Sequence, residues 1–158
     1  MTAEVMRDMF DKIIEETNKI VKGESPRDEK LRAVCELISA RVPHCDWVGF
    51  YLADPVEEGW LVLGPFVGEA TEHKRIPVGR GVCGMAAQRK KCIVVDDVSK
   101  ETDYLSCSVR VKSEIVVPII KKGRVVGELD IDSHRLSAFT PEHQESFERI
   151  CRILAELF

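Results

Sequence analysis

Cys107 sits in Leu105-Ser106-Cys107-Ser108-Val109-Arg110, a polar stretch that lies on no apolar stripe and is close to Arg110 and Lys112. Positive neighbours favour the thiolate, which is the nucleophilic form of a cysteine. The alternative is a free exposed thiol without function, which proteins tend to avoid. Cys83 lies in Gly79-Arg80-Gly81-Val82-Cys83-Gly84. The glycines let the backbone turn tightly and bring the thiol to a helix N-terminus, where its pKa is expected to fall. It reads equally as a small buried residue in a turn. The same segment satisfies G-x-G-x-x-G, but a dinucleotide fingerprint needs a buried strand just before the glycines, within a βαβ unit. Here that strand is short, is interrupted by Pro77, and follows two helices and a hairpin.

The second feature is Glu128-Leu129-Asp130-Ile131-Asp132. Strict alternation puts its three acids on one face of a strand and Val125, Gly127, Leu129 and Ile131 on the other. Clustered like charges raise the pKa of at least one member, and a protonated acid beside a pocket can donate a proton. The preceding strand, Glu114 to Ile120, is joined to this one by Lys121-Lys122-Gly123. A three-residue loop with glycine last suits a type I turn followed by a left-handed residue, which pairs Ile120 with Arg124 and Glu114 with Asp130. Metal binding is a competing use for such acids. Without a histidine at suitable spacing no metal ligand is assigned, and a merely solvated face stays open.

The elements that position these residues follow from periodicity. Met6, Met9, Phe10, Ile13, Ile14, Ile20 and Val21 share one side of a first helix. Ser25-Pro26-Arg27-Asp28 offers an N-cap, a proline at the first helical position and an acid at the third for a second helix, which Pro43 ends. Cys35 falls on its apolar stripe and reads as a buried spacer. Trp47 to Leu52 and Trp60 to Phe66 form a hairpin across a turn-rich linker, and Cys92 to Val95 is a further strand. A small-residue helix spans Met85 to Arg89. Residues 97 to 113 have no period and form the longest irregular stretch, a candidate binding loop. Thr140 caps a last helix whose stripe includes Phe147, Ile150, Cys151 and Leu154. Cys92 and Cys151 read as structural, and Cys45 is uninformative.

A chain of 158 residues, 44% apolar and 32% charged, fits a single α+β domain with a central, mostly antiparallel sheet. Residues 1–43 supply the N-terminal helices, and 44–158 the sheet, loops and C-terminal helix. No apolar run approaches a membrane span and no signal-peptide pattern opens the chain, so a cytoplasmic location is expected. The net charge of -4 comes from interleaved acids and bases, which argues against nucleic acid as a partner. Six cysteines without a C-x-x-C pair indicate neither a disulfide scaffold nor a zinc ribbon.

Several blocks in order, over roughly residues 45 to 158, resemble the free methionine-(R)-sulfoxide reductases. They are Leu61-Val62-Leu63-Gly64-Pro65-Phe66, Arg75 through Gly84, Ser113-Glu114-Ile115-Val116-Val117-Pro118 and Leu129-Asp130-Ile131-Asp132-Ser133. The resemblance implies a GAF-like fold and a homodimer. It implies that Cys107 and Cys83 are active-site thiols, that Glu114, Asp130 and Asp132 contact the substrate, and that Trp47 and Tyr51 cover its methyl group. Many members carry a third cysteine ten residues before the one in the glycine turn, a position held here by His73, expected at the surface. In such a two-cysteine variant Cys83 resolves Cys107 directly. The expected reaction reduces free methionine-(R)-sulfoxide through a sulfenic acid and a disulfide, with Glu114 as acid, a thioredoxin-like reductant and no metal or organic cofactor. The rivals are a non-catalytic GAF module that binds a small ligand and an interaction protein that dimerises through its helices. Glu114 and Asp130 on opposite faces of the sheet would dissolve the pocket.

Overall fold

The computed structural model describes residues 1–105 and 108–158. Two helices come first, α1 (Ala3–Lys22) and α2 (Arg27–Arg41), and Thr2 caps α1 by accepting from the Val5 N–H. Strands β1 (Trp47–Ala53), β2 (Trp60–Val67) and β3 (Arg75–Pro77) follow, then helix α3 (Gly81–Arg89) and strand β4 (Ile93–Val95). After the loop come β5 (Ser113–Lys121), β6 (Arg124–Ser133) and helix α4 (Pro141–Leu154). The six strands form one sheet in the order β3-β2-β1-β6-β5-β4, and every pairing is antiparallel. The glycine segment thus follows a three-residue edge strand, not the buried parallel strand of a dinucleotide site.

Alternation along the strands divides the sheet into two faces. Val48, Phe50, Ile115, Val117, Ile119, Leu129 and Ile131 pack against Phe10, Ile13, Leu31, Val34, Ile38, Phe147, Ile150 and Leu154 from α1, α2 and α4. Each fully buried aliphatic side chain there contributes about 1.5–3 kcal/mol. On the other face Trp47, Tyr51 and Val116 meet Val82, Cys83, Ala86 and Ala87 of α3, with Val98 and Val111 from the 97–113 loop. That loop closes on itself where the Val98 N–H donates to the Lys112 carbonyl at 2.9 Å.

Local expectations are corrected at three places in the chain. The β5–β6 connection is a two-residue turn in which Lys122 (φ 51°) and Gly123 (φ 77°) are both left-handed, so Lys121 pairs with Arg124. A bulge then shifts the register between Ile119 and Ile120, and Glu114 faces Asp132 while Asp130 faces Val116. The bulge also moves Val125 to the α3 side, away from Leu129 and Ile131. At α2, Pro26 rather than Ser25 occupies the N-cap and no side chain caps the helix. Helix α3 starts at Gly81, four residues before Met85, and takes Cys83 into its first turn.

Candidate functional site: a buried carboxylate cluster beneath Cys83

β5 contributes Glu114, and β6 contributes Glu128, Asp130 and Asp132, each at most 3% exposed. These acids therefore form an interior group, not a solvated face. Burial of an ionised carboxylate costs several kcal/mol unless the group is paired, so such a cluster retains protons. Burial first, then the charges of Asp130 and Asp132, hold Glu114 well above the usual carboxylate range. Burial and Asp130 do the same to Glu128. Asp130 is also raised by burial, while hydrogen bonds from Glu114 and Cys83 partly offset the rise.

Cys83 reaches this cluster from the first turn of α3, and its Sγ donates to Asp130 Oδ2 at 3.4 Å. The helix N-terminus does not lower its pKa as the sequence suggested. Complete burial and the nearby Asp130, Glu128, Glu114 and Asp132 push the thiol well above its ordinary value. A helix end carries about half a positive charge, which cannot balance four acids in a dry site. The helix start is tied to the loop where Asp103 accepts from the Gly81 N–H at 3.1 Å and pairs with Arg80 at 3.5 Å. No pattern in the sequence singled out Asp103, because its role depends on contact with a residue 22 positions away.

Tyr51, Ile76, Cys83, Leu105, Glu114 and Asp130 line a narrow cavity of about 10 Å³. Four of the expected site residues, Tyr51, Cys83, Glu114 and Asp130, are thus together, and Asp132 adjoins them as the cross-strand partner of Glu114. Trp47 lies on the same face but beside the cavity, stacked on Phe66 (5.3 Å) and Tyr51 (6.4 Å). Its Nε1 donates to the Glu69 carbonyl, and it lines a neighbouring pocket of about 350 Å³ with Glu69 and Arg110, which form an ion pair. Gly49 makes this possible: a Cβ there would come within 2.4 Å of the Trp47 ring. That glycine inside a strand pattern was the available signal for a close approach.

Tyr51 is fixed by its hydroxyl, which donates to the His73 carbonyl at 2.8 Å. His73 is half-buried and joins the site through its backbone. Glu128, placed on the acidic face by alternation but assigned no role, proves to be a full member of the cluster. Cys107 lies outside the described residues. The other cysteines stand apart: burial raises Cys35, Cys45 and Cys92 to about 12 and Cys151 further, and the Cys35 and Cys151 thiols donate to backbone carbonyls. Cys83 Sγ with one oxygen each of Glu114 and Asp130 forms a donor set within 4.8 Å that could hold a metal ion.

Residues 24–158 match the GAF domain family. GAF domain-containing protein A of Dictyostelium discoideum is 35% identical over 147 residues, covering 93% of this chain and 90% of that protein. The free methionine-R-sulfoxide reductase of Escherichia coli is 37% identical over 133 residues, covering 84% of this chain and 78% of the reductase. The crystal structure of free methionine-R-sulfoxide reductase from Neisseria meningitidis in complex with its substrate superposes with a TM-score of 0.88 at 34% identity, covering 94% of this chain and 87% of that one. With the sheet, the glycine turn and the acid cluster in place, the chain belongs to the GAF domain family, among its free methionine-R-sulfoxide reductases.

Proposed function

We propose that the protein reduces free methionine-(R)-sulfoxide to methionine with the acid cluster as its substrate site. The observation that carries this reading is a buried group of carboxylates beside a thiol, with no lysine or arginine among the described residues lining the cavity. The ammonium group of a free amino acid supplies the missing cation, held by Asp130 and Asp132. A methionine residue within a peptide has no such ammonium, and leaving buried acids unpaired is a strong basis for rejecting it.

Cys107 acts as the nucleophile on sulfur, and Glu114, protonated in its buried setting, donates to the sulfoxide oxygen as the S–O bond breaks. Oxygen passes to Cys107 as a sulfenic acid and methionine leaves. Cys83 then condenses with the sulfenic acid, releasing water and forming a disulfide. Asp130 Oδ2, 3.4 Å from Cys83 Sγ, is placed to take the thiol proton. A dithiol reductant of the thioredoxin type reopens the disulfide. A cavity of about 10 Å³ has room for little more than one water molecule. Entry of an amino acid therefore requires the cavity to widen. The homodimer expected of this family is part of the same proposal.

A coupled assay with free methionine-(R)-sulfoxide, its (S) epimer and a peptide containing the (R) sulfoxide tests the reading, with thioredoxin or dithiothreitol as reductant. Turnover of the free (R) epimer alone is the expected result. Silence with both reductants would make a ligand-binding GAF module the better account.

A further inference from the structure

The narrow cavity of about 10 Å³ matches an ion better than an amino acid in size. Three of its walls are potential metal donors, Cys83 Sγ and one oxygen each of Glu114 and Asp130, all within 4.8 Å of one another. Glu114 Oε1 and Asp130 Oδ1 receive no hydrogen bond while both acids are ionised, although both residues are almost wholly buried. Glu128, fully buried on the same face, has the Cys83 thiol as a hydrogen-bonding neighbour. A cation bound here would displace the protons that the cluster otherwise retains and give these oxygens a partner.

We propose that the cavity is a divalent metal site of the zinc class, formed by Cys83, Glu114 and Asp130, which the metal and the substrate ammonium occupy in turn. A thiolate with carboxylates suits zinc, whereas magnesium and calcium select all-oxygen shells. Bonds of about 2.3 Å to sulfur and 2.0–2.2 Å to oxygen put tetrahedral donors roughly 3.6 Å apart, close to the 3.4 Å between Cys83 Sγ and Asp130 Oδ2. Glu128 or a water completes four-coordination. The metal is no cofactor here; it occludes the pocket and ties up the resolving thiol. Metal binding stands independently of the proposed reaction, while exclusion of substrate rests on that reaction.

Cobalt(II) reports the site directly, because a thiolate ligand gives it a charge-transfer band. Added to the chelator-treated protein, cobalt should produce that band and zinc should abolish it. Cys83→Ser should lose the band, and Cys92→Ala should keep it. Glu114→Gln, which retains the thiol, should bind cobalt at least about tenfold more weakly. No band in the unaltered protein, or a band that survives Cys83→Ser, would overturn the proposal. If Cys83→Ser does not fold, unchanged affinity in Glu114→Gln would do the same. Turnover measured in chelator separates the two claims: activity without a cobalt band removes the metal site alone, and a band without activity removes only the reaction.

Discussion

Leu129 and Ile131 face α1, α2 and α4, while Glu128, Asp130 and Asp132, their neighbours in the chain, face α3 and the 97–113 loop. All five are buried, so exposure does not distinguish the two sides of the sheet. What differs is the covering layer. Three helices bring an apolar stripe to one face, where close packing satisfies every neighbour. On the other face, a short helix carries Cys83 over the buried acids, its thiol donating to Asp130, with Asp132 paired across the strands to Glu114. The first face supplies stability, and the second spends part of it to keep charge in a dry place.

Exchanging the character of one neighbour should break this contrast most severely. Ile131→Asp puts a carboxylate without a partner among the helices and should cost more than about 4 kcal/mol, enough to remove the cooperative denaturant transition. Asp130→Asn, one residue away, should leave the fold intact and reduce turnover of free methionine-(R)-sulfoxide on the order of 100-fold. Full activity in Asp130→Asn would reduce the acid face to a structural oddity.

A smaller effect sharpens the comparison. Glu128→Leu removes a carboxyl group that burial and Asp130 disfavour as an anion, and should raise stability at neutral pH by about 1–3 kcal/mol. The sign with pH follows from the raised folded-state pKa of Glu128 and Glu114. The native state holds protons that the unfolded chain releases near pH 4.3 (~, the ordinary glutamate value). Their stabilising contribution is therefore complete below that pH and is lost as pH rises through the folded-state values. Denaturant midpoints measured in chelator from acid to neutral pH should fall for the unaltered protein, and less steeply for Glu128→Leu. An equal slope in both would show that Glu128 does not titrate with the cluster.

The cysteines show the same contrast at the smallest scale. Cys151→Ala on the helical face should cost on the order of 1 kcal/mol and leave turnover unchanged. Cys83→Ser should permit one turnover, visible as a single burst of methionine, and block recycling. Continued recycling would remove Cys83 as the resolving thiol.

Much of this division was legible in the residues. The period of two in Glu128 through Asp132 separated acids from aliphatics, because a strand in a two-faced sheet has nowhere else to put them. Thr140 with Pro141 marked the start of α4 for local reasons, although the capping box uses His143, the third residue of the helix, as its partner. The cross-strand register was not legible, since it depends on a bulge near Val126 and on Lys122 accepting a left-handed conformation beside Gly123. Nor was the direction of the Cys83 shift: the sequence places the thiol near a helix end but not within reach of acids some 47 positions away. Glu128 was on the right face, yet only burial reveals that it belongs to the cluster.

The most direct test is a crystal structure of the Cys107→Ser protein with free methionine-(R)-sulfoxide bound. The account predicts the ammonium group among Asp130, Asp132 and Glu114, with the sulfoxide oxygen directed at Glu114. A substrate seated elsewhere, for instance in the open groove beside Cys92 and Glu148, with the acid cluster closed as before, would contradict it.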